Sequence, residues 1–375
     1  MEIILTITKQ QARNYLISHS WLVRKDVPLI EVLRHLGCIQ VDPLGKAGKS
    51  HEIALFNRTT QFSRVLLQDT LYKERTVFEY WLQLYSIIPI ENYPYLRRRM
   101  SHRAPWHIEY EKRHKKEIEE VKSFIIKNGT TSSRELNHIA NTSSLFSWNS
   151  GGVRTAVLEY LWDTGEVAIS MRKGGRKYYD LVGRVFPEDL LSQRKGDTEA
   201  IDFIITSSFR YTGLVRRPQL SRLGYVRDKA FKDRFLQLKQ EGRVITVRID
   251  DVKTEYFIHA DFLEEFEKGI VDITHEKERH ISILSPLDPL IIDRKMVEDI
   301  FEFSYRWEAY IPREKRVFDH YGMPVLYAGT FVGQVAVDRM TDGKLIIAKS
   351  TVIDKSITRS IGEEIEEMGS ITRLE

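Results

Sequence analysis

The chain has 375 residues, of which 42% are hydrophobic and 29% charged, the balance of a globular protein with two or three compact units. No apolar run reaches bilayer-spanning length, and Met1-Glu-Ile-Ile carries an acid where a secretory signal carries bases, so a cytoplasmic chain is expected. Cys38 is the only cysteine, which excludes an intrachain disulfide and a thiolate zinc site, and a net charge of +4 is too small to name a partner.

Thr8 is placed to cap a helix whose apolar positions include Ala12, Tyr15 and Leu16. A second helix follows. Pro28 suits a first turn, where its missing N–H is not needed. Leu29, Ile30, Val32, Leu33 and Leu36 recur at helical spacing, and Gly37 is a natural stop. The period then shortens to two. Ile39 and Val41 alternate with Gln40 and Asp42, so an extended segment puts the amide and the carboxylate on one face, and Pro43 favours that backbone at Asp42. Two readings of the pair stay open: a polar couple at the mouth of a cleft, or a helix-end cap followed by an ordinary Asp-Pro turn.

Residues 61–100 read as helical packing around Val65, Leu66, Leu71, Val77, Phe78, Trp81, Leu82, Leu84 and Tyr85. Residues 107–122 read as a charged, solvated connecting helix. Ser132-Ser-Arg-Glu135 is a capping box opening a helix through Leu136 and Ile139, and Asn141-Thr-Ser-Ser144 is a turn. Val153, Ala156, Val157, Tyr160 and Leu161 mark a further helix that Gly165 stops. Val167–Met171 and Lys177–Leu181 then flank Lys173-Gly-Gly-Arg176, a strong hairpin signal. Helix, helix and hairpin in that order predict a winged helix, which sets its second helix in the major groove and its hairpin tip on phosphate. The order recurs. Glu199–Phe209, Arg216–Leu223 and Lys229–Leu238 predict helices, and Val244–Arg248 with Glu255–Ile258 a hairpin around Asp250-Asp251. From Ile281 the chain turns strand-rich, with Ala328-Gly-Thr330 as a hairpin tip.

Charge is distributed in blocks. Arg210, Arg216, Arg217, Arg222, Arg227, Lys229, Lys232 and Arg234 crowd one stretch; Arg97, Arg98, Arg99 and Arg103 make another, and Arg172, Lys173, Arg176 and Lys177 a third. Separate basic patches on a nearly neutral chain suit a polyanion laid along one face, or ordinary solvated helix faces. Glu363, Glu364, Glu366 and Glu367 give the C-terminus the opposite sign. The 11 histidines show no His-x-x-x-His helix pair with a third ligand, so no metal or other cofactor is expected.

Three blocks carry a family resemblance. The first is Leu36-Gly-Cys-Ile-Gln-Val-Asp-Pro-Leu44 with Leu55-Phe-Asn-Arg58; the second is Phe78-Glu-Tyr-Trp81 with Ile88-Pro89 and Arg97-Arg-Arg-Met100. The third and most specific is Ser285-Pro-Leu-Asp-Pro289, Asp293-Arg-Lys295, Phe303-Ser-Tyr-Arg306, Glu308-Ala-Tyr310 and Lys315-Arg316. Together they resemble the bacterial winged-helix DNA glycosylases of the AlkZ/YcaQ family over about residues 8–350. Departures are Gln83 where that family usually has His, Gln334 in place of Arg, and Ala336 where an acid usually stands.

The resemblance implies an α+β chain of tandem winged helix-turn-helix modules with a C-terminal small β-barrel-like domain, divided as residues 1–125, 126–190, 191–275 and 276–375. It implies a monofunctional DNA repair enzyme, hydrolysing the N-glycosidic bond of N-alkylated purines in duplex DNA without a lyase step. N7-alkylguanine and interstrand crosslinks fall within that substrate class. Gln40 and Asp42 are the implied catalytic pair. His51, Arg58, Arg97, Arg98, Lys173, Arg176, Arg216, Arg217 and Arg316 are the expected DNA contacts, although a satisfied structural histidine is the competing reading of His51. A monomer associated with the nucleoid of a bacterium or archaeon is expected. The alternative is a non-catalytic winged-helix regulator that binds DNA, and the three departures keep it open.

Overall fold

The computed structural model describes residues 3–22, 25–42, 45, 47–82, 84–102, 104–139, 152–223, 229–271, 280–318 and 321–372. Pro43, Gln83, Arg103, the turn expected at 141–144 and Arg227 lie outside the described residues. Two compact units make up the chain: residues 1–67, 81–87 and 201–375 form one, residues 68–80 and 88–200 the other. This division cuts across the four consecutive stretches expected from sequence, for a reason visible in the first strand.

In the first unit, Ile4–Ile7 pairs in parallel with Val244–Ile249, whose other edge takes Tyr256–His259 antiparallel. The start of the chain therefore completes a sheet whose hairpin comes much later in the sequence. Thr8 caps the helix Lys9–His19 through a reciprocal box with Gln11. Tyr15 and Leu16 enter one core with Phe209, Phe235, Val247, Tyr256 and Phe257. Helices Asp197–Thr212, Arg217–Leu223 and Lys229–Gln240 precede the hairpin, in the order expected. The helix Leu29–Leu36 begins after Pro28, buries Leu29, Val32, Leu33 and Leu36, and ends on Gly37 at φ 75. Truncating one such fully buried leucine to alanine costs about 2–5 kcal/mol.

The C-terminal strands do not close into a barrel. Among the described residues they form an open antiparallel sheet in the order Leu345–Ser350, Thr330–Arg339, Met323–Tyr327, Ile281–Ile283, with an unpaired edge on each outer strand. Ala328 and Gly329, with φ 47 and 79, make the expected tight turn. The acidic C-terminal run lies on an amphipathic helix, Thr358–Ile371, that buries Ile361, Ile365 and Met368.

In the second unit, Val77–Trp81 is a strand, as is Tyr85–Pro89 farther along the chain, where helical packing was expected. Consecutive burial at Val77, Phe78, Glu79 and Tyr80 needs a segment covered on both faces, which aromatic and β-branched residues tolerate in extended form. The charged connector is two helices, Pro105–Arg113 and Lys115–Asn128, broken at His114, and Ile118, Val121 and Ile125 are buried, so it is part of a core. At Ser132 the capping hydrogen bond forms (Ser132 N to Glu135 Oε2, 2.8 Å), and Leu136 and Ile139 are buried. Residues 132–139 nevertheless turn through i→i+3 bonds without becoming a regular helix. Helix Val153–Asp163 leads into the hairpin Val167–Lys173 and Arg176–Leu181, which turns at Gly174 and Gly175, both with positive φ. No described helix is long and apolar enough to cross a membrane.

Candidate active site

Beyond Gly37 the chain forms the short strand Ile39–Gln40, with Ile39 opposite Ile87 and Gln40 opposite Ser86. The Val41 N–H donates to the Tyr85 carbonyl at 2.8 Å. Ile39 is buried, while Gln40, Val41 and Asp42 are half-buried. Regular pairing ends at Gln40, so Val41 is not drawn fully inward. The side-chain oxygen Oε1 of Gln40 is buried and accepts no hydrogen bond from the described residues. An orphan acceptor of this kind costs about 1–3 kcal/mol and calls for a donor from outside the fold, such as water.

The turn after Asp42 is tightly built. Gly45 has φ 141, and a Cβ there would lie 2.2 Å from the Gly48 carbonyl oxygen and 2.9 Å from Cζ of Tyr321, so only glycine fits. That contact sets the Tyr321 ring against the turn, its hydroxyl oxygen 3.1 Å from the same point. Burial raises the Tyr321 phenol above its usual range, and the negative charge of Asp42 raises it further, so the hydroxyl stays protonated close to the carboxylate. The Ala47 carbonyl accepts from Arg339 at 3.0 Å and from the Thr372 hydroxyl. The loop behind the Gln-x-Asp pair is thus held by residues from the end of the chain.

The next helix, Ser50–Phe56, is anchored from behind. Ser50 N donates to the Asp42 carbonyl at 3.4 Å, and its hydroxyl donates to Ser285 Oγ at 2.9 Å. Asn57 donates to the Ile283 carbonyl at 2.9 Å. Arg58 is fully buried and forks onto both Asp288 oxygens at 2.8 and 2.9 Å, with further bonds to the Ser20 and Ala54 carbonyls at 2.7 Å. Ser285-Pro-Leu-Asp-Pro289, the most specific part of the sequence resemblance, therefore positions the helix next to the polar pair. Burial of Glu52 opposes its ionisation, but a forked bond from Arg64 (3.0 and 2.7 Å) overrides it, and the carboxyl is held below its usual range. Glu52 is an anion tied into the scaffold, and Asp42 is the carboxylate two residues from the Gln40 amide.

The expected DNA contacts divide accordingly. Gln40, Asp42 and His51 all lie in the first unit, His51 as a buried residue in the first turn of the Ser50–Phe56 helix. Arg58 is a correction: a guanidinium with no exposure and every donor nitrogen engaged internally does not reach a phosphate. Arg216 is also held internally, by a forked bond to Asp293 at 2.6 and 2.7 Å, whereas Arg217 is exposed at the start of its helix. Arg316 donates to the Ile311 carbonyl at 2.7 Å. In the second unit, Arg97 donates to the Leu191 carbonyl and Arg98 pairs with Asp197 at 3.4 Å. Lys173 is exposed at the hairpin tip and Arg176 half-buried beside it, while neighbouring Arg172 forks onto Glu79 at 2.9 and 2.6 Å. Tyr321, Arg339 and Thr372 were not foreseen as neighbours of the site. Spacing in the sequence says nothing about a contact made from so far along the chain.

Comparison with known proteins places this geometry in context. A family model described as DNA glycosylase AlkZ-like matches residues 33–371. Among solved structures, the DNA glycosylase AlkZ of Streptomyces sahachiroi is similar in fold, with a TM-score of 0.64 at 12% identity over 99% of each chain.

Proposed function

The chain belongs to the AlkZ-like family of DNA glycosylases, and from that premise we propose that it hydrolyses the N-glycosidic bond of N-alkylated purines in duplex DNA, using Asp42 and Gln40. The substrate class follows from what the pair can do. Alkylation at N7 makes the purine a cationic leaving group, which departs without a strong general acid. The site must then supply negative charge and a placed water where the deoxyribose becomes oxocarbenium-like. Asp42 stabilises that cation and draws a proton from the attacking water, while Gln40 orients the water or the sugar. The observation that carries this reading is the buried, unmatched Oε1 of Gln40 two residues from the carboxylate. Attack by water leaves an abasic site and involves no lysine imine, so no strand cleavage by lyase chemistry is expected.

On this reading the helix Val153–Asp163 with its hairpin, and the helices Arg217–Leu223 and Lys229–Gln240 with theirs, act as winged-helix modules on the duplex. Lys173, Arg176 and Arg217 supply phosphate contacts, and the protein works as a monomer in the cytoplasm. Interstrand-crosslinked N7-alkylguanine falls in the same leaving-group class.

The test uses duplexes carrying N7-methylguanine or a nitrogen-mustard crosslink, followed by cleavage of abasic sites and a denaturing gel. Wild type releases base, and Asp42→Asn is slower by about 10²-fold or more, the range for losing a charge-stabilising or proton-accepting group. Release by Asp42→Asn at the wild-type rate would remove the carboxylate from the chemistry. Tight, salt-sensitive binding with no release from either duplex would favour the non-catalytic regulator.

A further inference from the structure

Away from Gln40 and Asp42, the first unit gathers His19, His35 and Glu265, one ligand atom from each lying within 4.8 Å of the others. They come from three separate helices: the end of Lys9–His19, the end of Leu29–Leu36, and Leu263–Gly269. No sequence spacing announces such a set, which is why a search for paired helical histidines passes over it.

Hydrogen bonding decides what the rings can offer. His19 Nε2 lies 2.9 Å from the Arg210 carbonyl, and His35 Nε2 lies 2.6 Å from the carbonyl of His19. A carbonyl only accepts, so each Nε2 carries its hydrogen, and Nδ1 is the ring atom left for a metal ion once it gives up any proton it holds. Nδ1 of His19 is 2.9 Å from Glu265 Oε1, a hydrogen bond in which the ring donates and whose proton a bound ion would replace. Two atoms at that separation can each sit about 2.0–2.1 Å from a common ion. Imidazoles whose second N–H is fixed on a backbone carbonyl are the usual form of histidine metal ligands.

We infer that His19, His35 and Glu265 form a binding site for one divalent transition-metal ion of the zinc type, through the two Nδ1 atoms and the carboxylate. Water completes the set, since the Glu265 side chain is 33% exposed and gives the ion a path in. Two cationic side chains stand near that centre, each over an aromatic ring. Arg210 lies over Phe262, 5.4 Å from its centroid, and Lys25 Nζ lies 4.2 Å from the centre of the Trp21 ring. Trp21 in turn stacks on His35 at 3.9 Å, from a backbone with φ 51 that few tryptophans adopt. The ion's role is structural. It ties together three helices, one of which runs through Gly37 into Gln40 and Asp42, and Gly37 packs so tightly on the Arg210 stem that a Cβ would lie 2.7 Å from Cδ. The site does not depend on that pair being catalytic.

Tag-free full-length protein, stripped with chelator, is titrated with Co²⁺ at pH 7.5 by visible absorption and calorimetry, and Zn²⁺ is then added to displace it. The expected result is one equivalent of Co²⁺ with the intense bands of a four-coordinate N/O site, displaced by one Zn²⁺, together with a higher melting temperature. Glu265→Gln and His35→Gln, each checked for a native circular dichroism spectrum, bind about tenfold or more weakly. Substoichiometric binding, weak six-coordinate bands in wild type, or unchanged affinity in both folded variants would overturn the site. The wild-type spectrum keeps the test decisive even where a variant does not fold.

Discussion

Arg58 and the Lys173–Arg176 hairpin tip are both cationic, both follow regular structure, and read alike in a linear sequence. Arg58 has no exposure and commits its donors to Asp288, Ser20 and Ala54, holding the helix beside the Gln-x-Asp pair. Lys173 stands in solvent on a two-stranded hairpin whose turn is two glycines. One cation is structural because an acid from elsewhere in the chain reaches it; the other remains available to a polyanion because, among the described residues, nothing does more than lie near it, the Tyr178 ring being 5.8 Å away. Local charge density therefore says little about DNA contact until the internal partners are known.

Substitutions on each side separate the two roles. The largest effect is expected from Arg58→Met, which strands Asp288 as an uncompensated buried charge and costs about 3–5 kcal/mol in a urea melt. An unchanged midpoint would mean the pair does not hold the helix. Acid should act on the same buried region. His35 titrates near 6.5 when unfolded and at about 4 when folded, so between those values the unfolded chain binds more protons and stability falls as pH drops from 6.5 towards 4. The loss is at most about 3 kcal/mol, and His35→Gln should flatten the profile in thermal melts at stepped pH. Arg216→Ala, which unties Asp293 from its partner at a helix N-terminus, is expected to cost about 1–2 kcal/mol and to leave the salt dependence of DNA binding alone. The smallest stability change belongs to the tip. Lys173→Ala with Arg176→Ala should shift the melt by no more than about 0.5 kcal/mol while making the slope of log K against log salt shallower by about 1.8, and Arg217→Ala by about 0.9. A tip variant that binds DNA with the wild-type slope would take the hairpin out of the interface.

The features legible without tertiary contacts are local. The Thr8–Gln11 box, the stop at Gly37 with φ 75, the Gly174-Gly175 turn and the Ala328-Gly329 turn each depend on a few neighbouring residues whose steric and hydrogen-bonding needs are complete within one turn of chain. Tertiary structure decided the rest. Phe78–Trp81 is a strand because burial on both faces overrides what its apolar content suggests, and residues 132–139 stop short of a helix although their capping bond forms. The sheet at the C-terminus stays open because its outer strands find no partner among the described residues. Arg58 turned inward, Tyr321 beside Asp42, and His19 facing Glu265 are all meetings of residues far apart in the chain. A side chain's chemistry is written in its own residue type, but its availability depends on which distant groups fold against it.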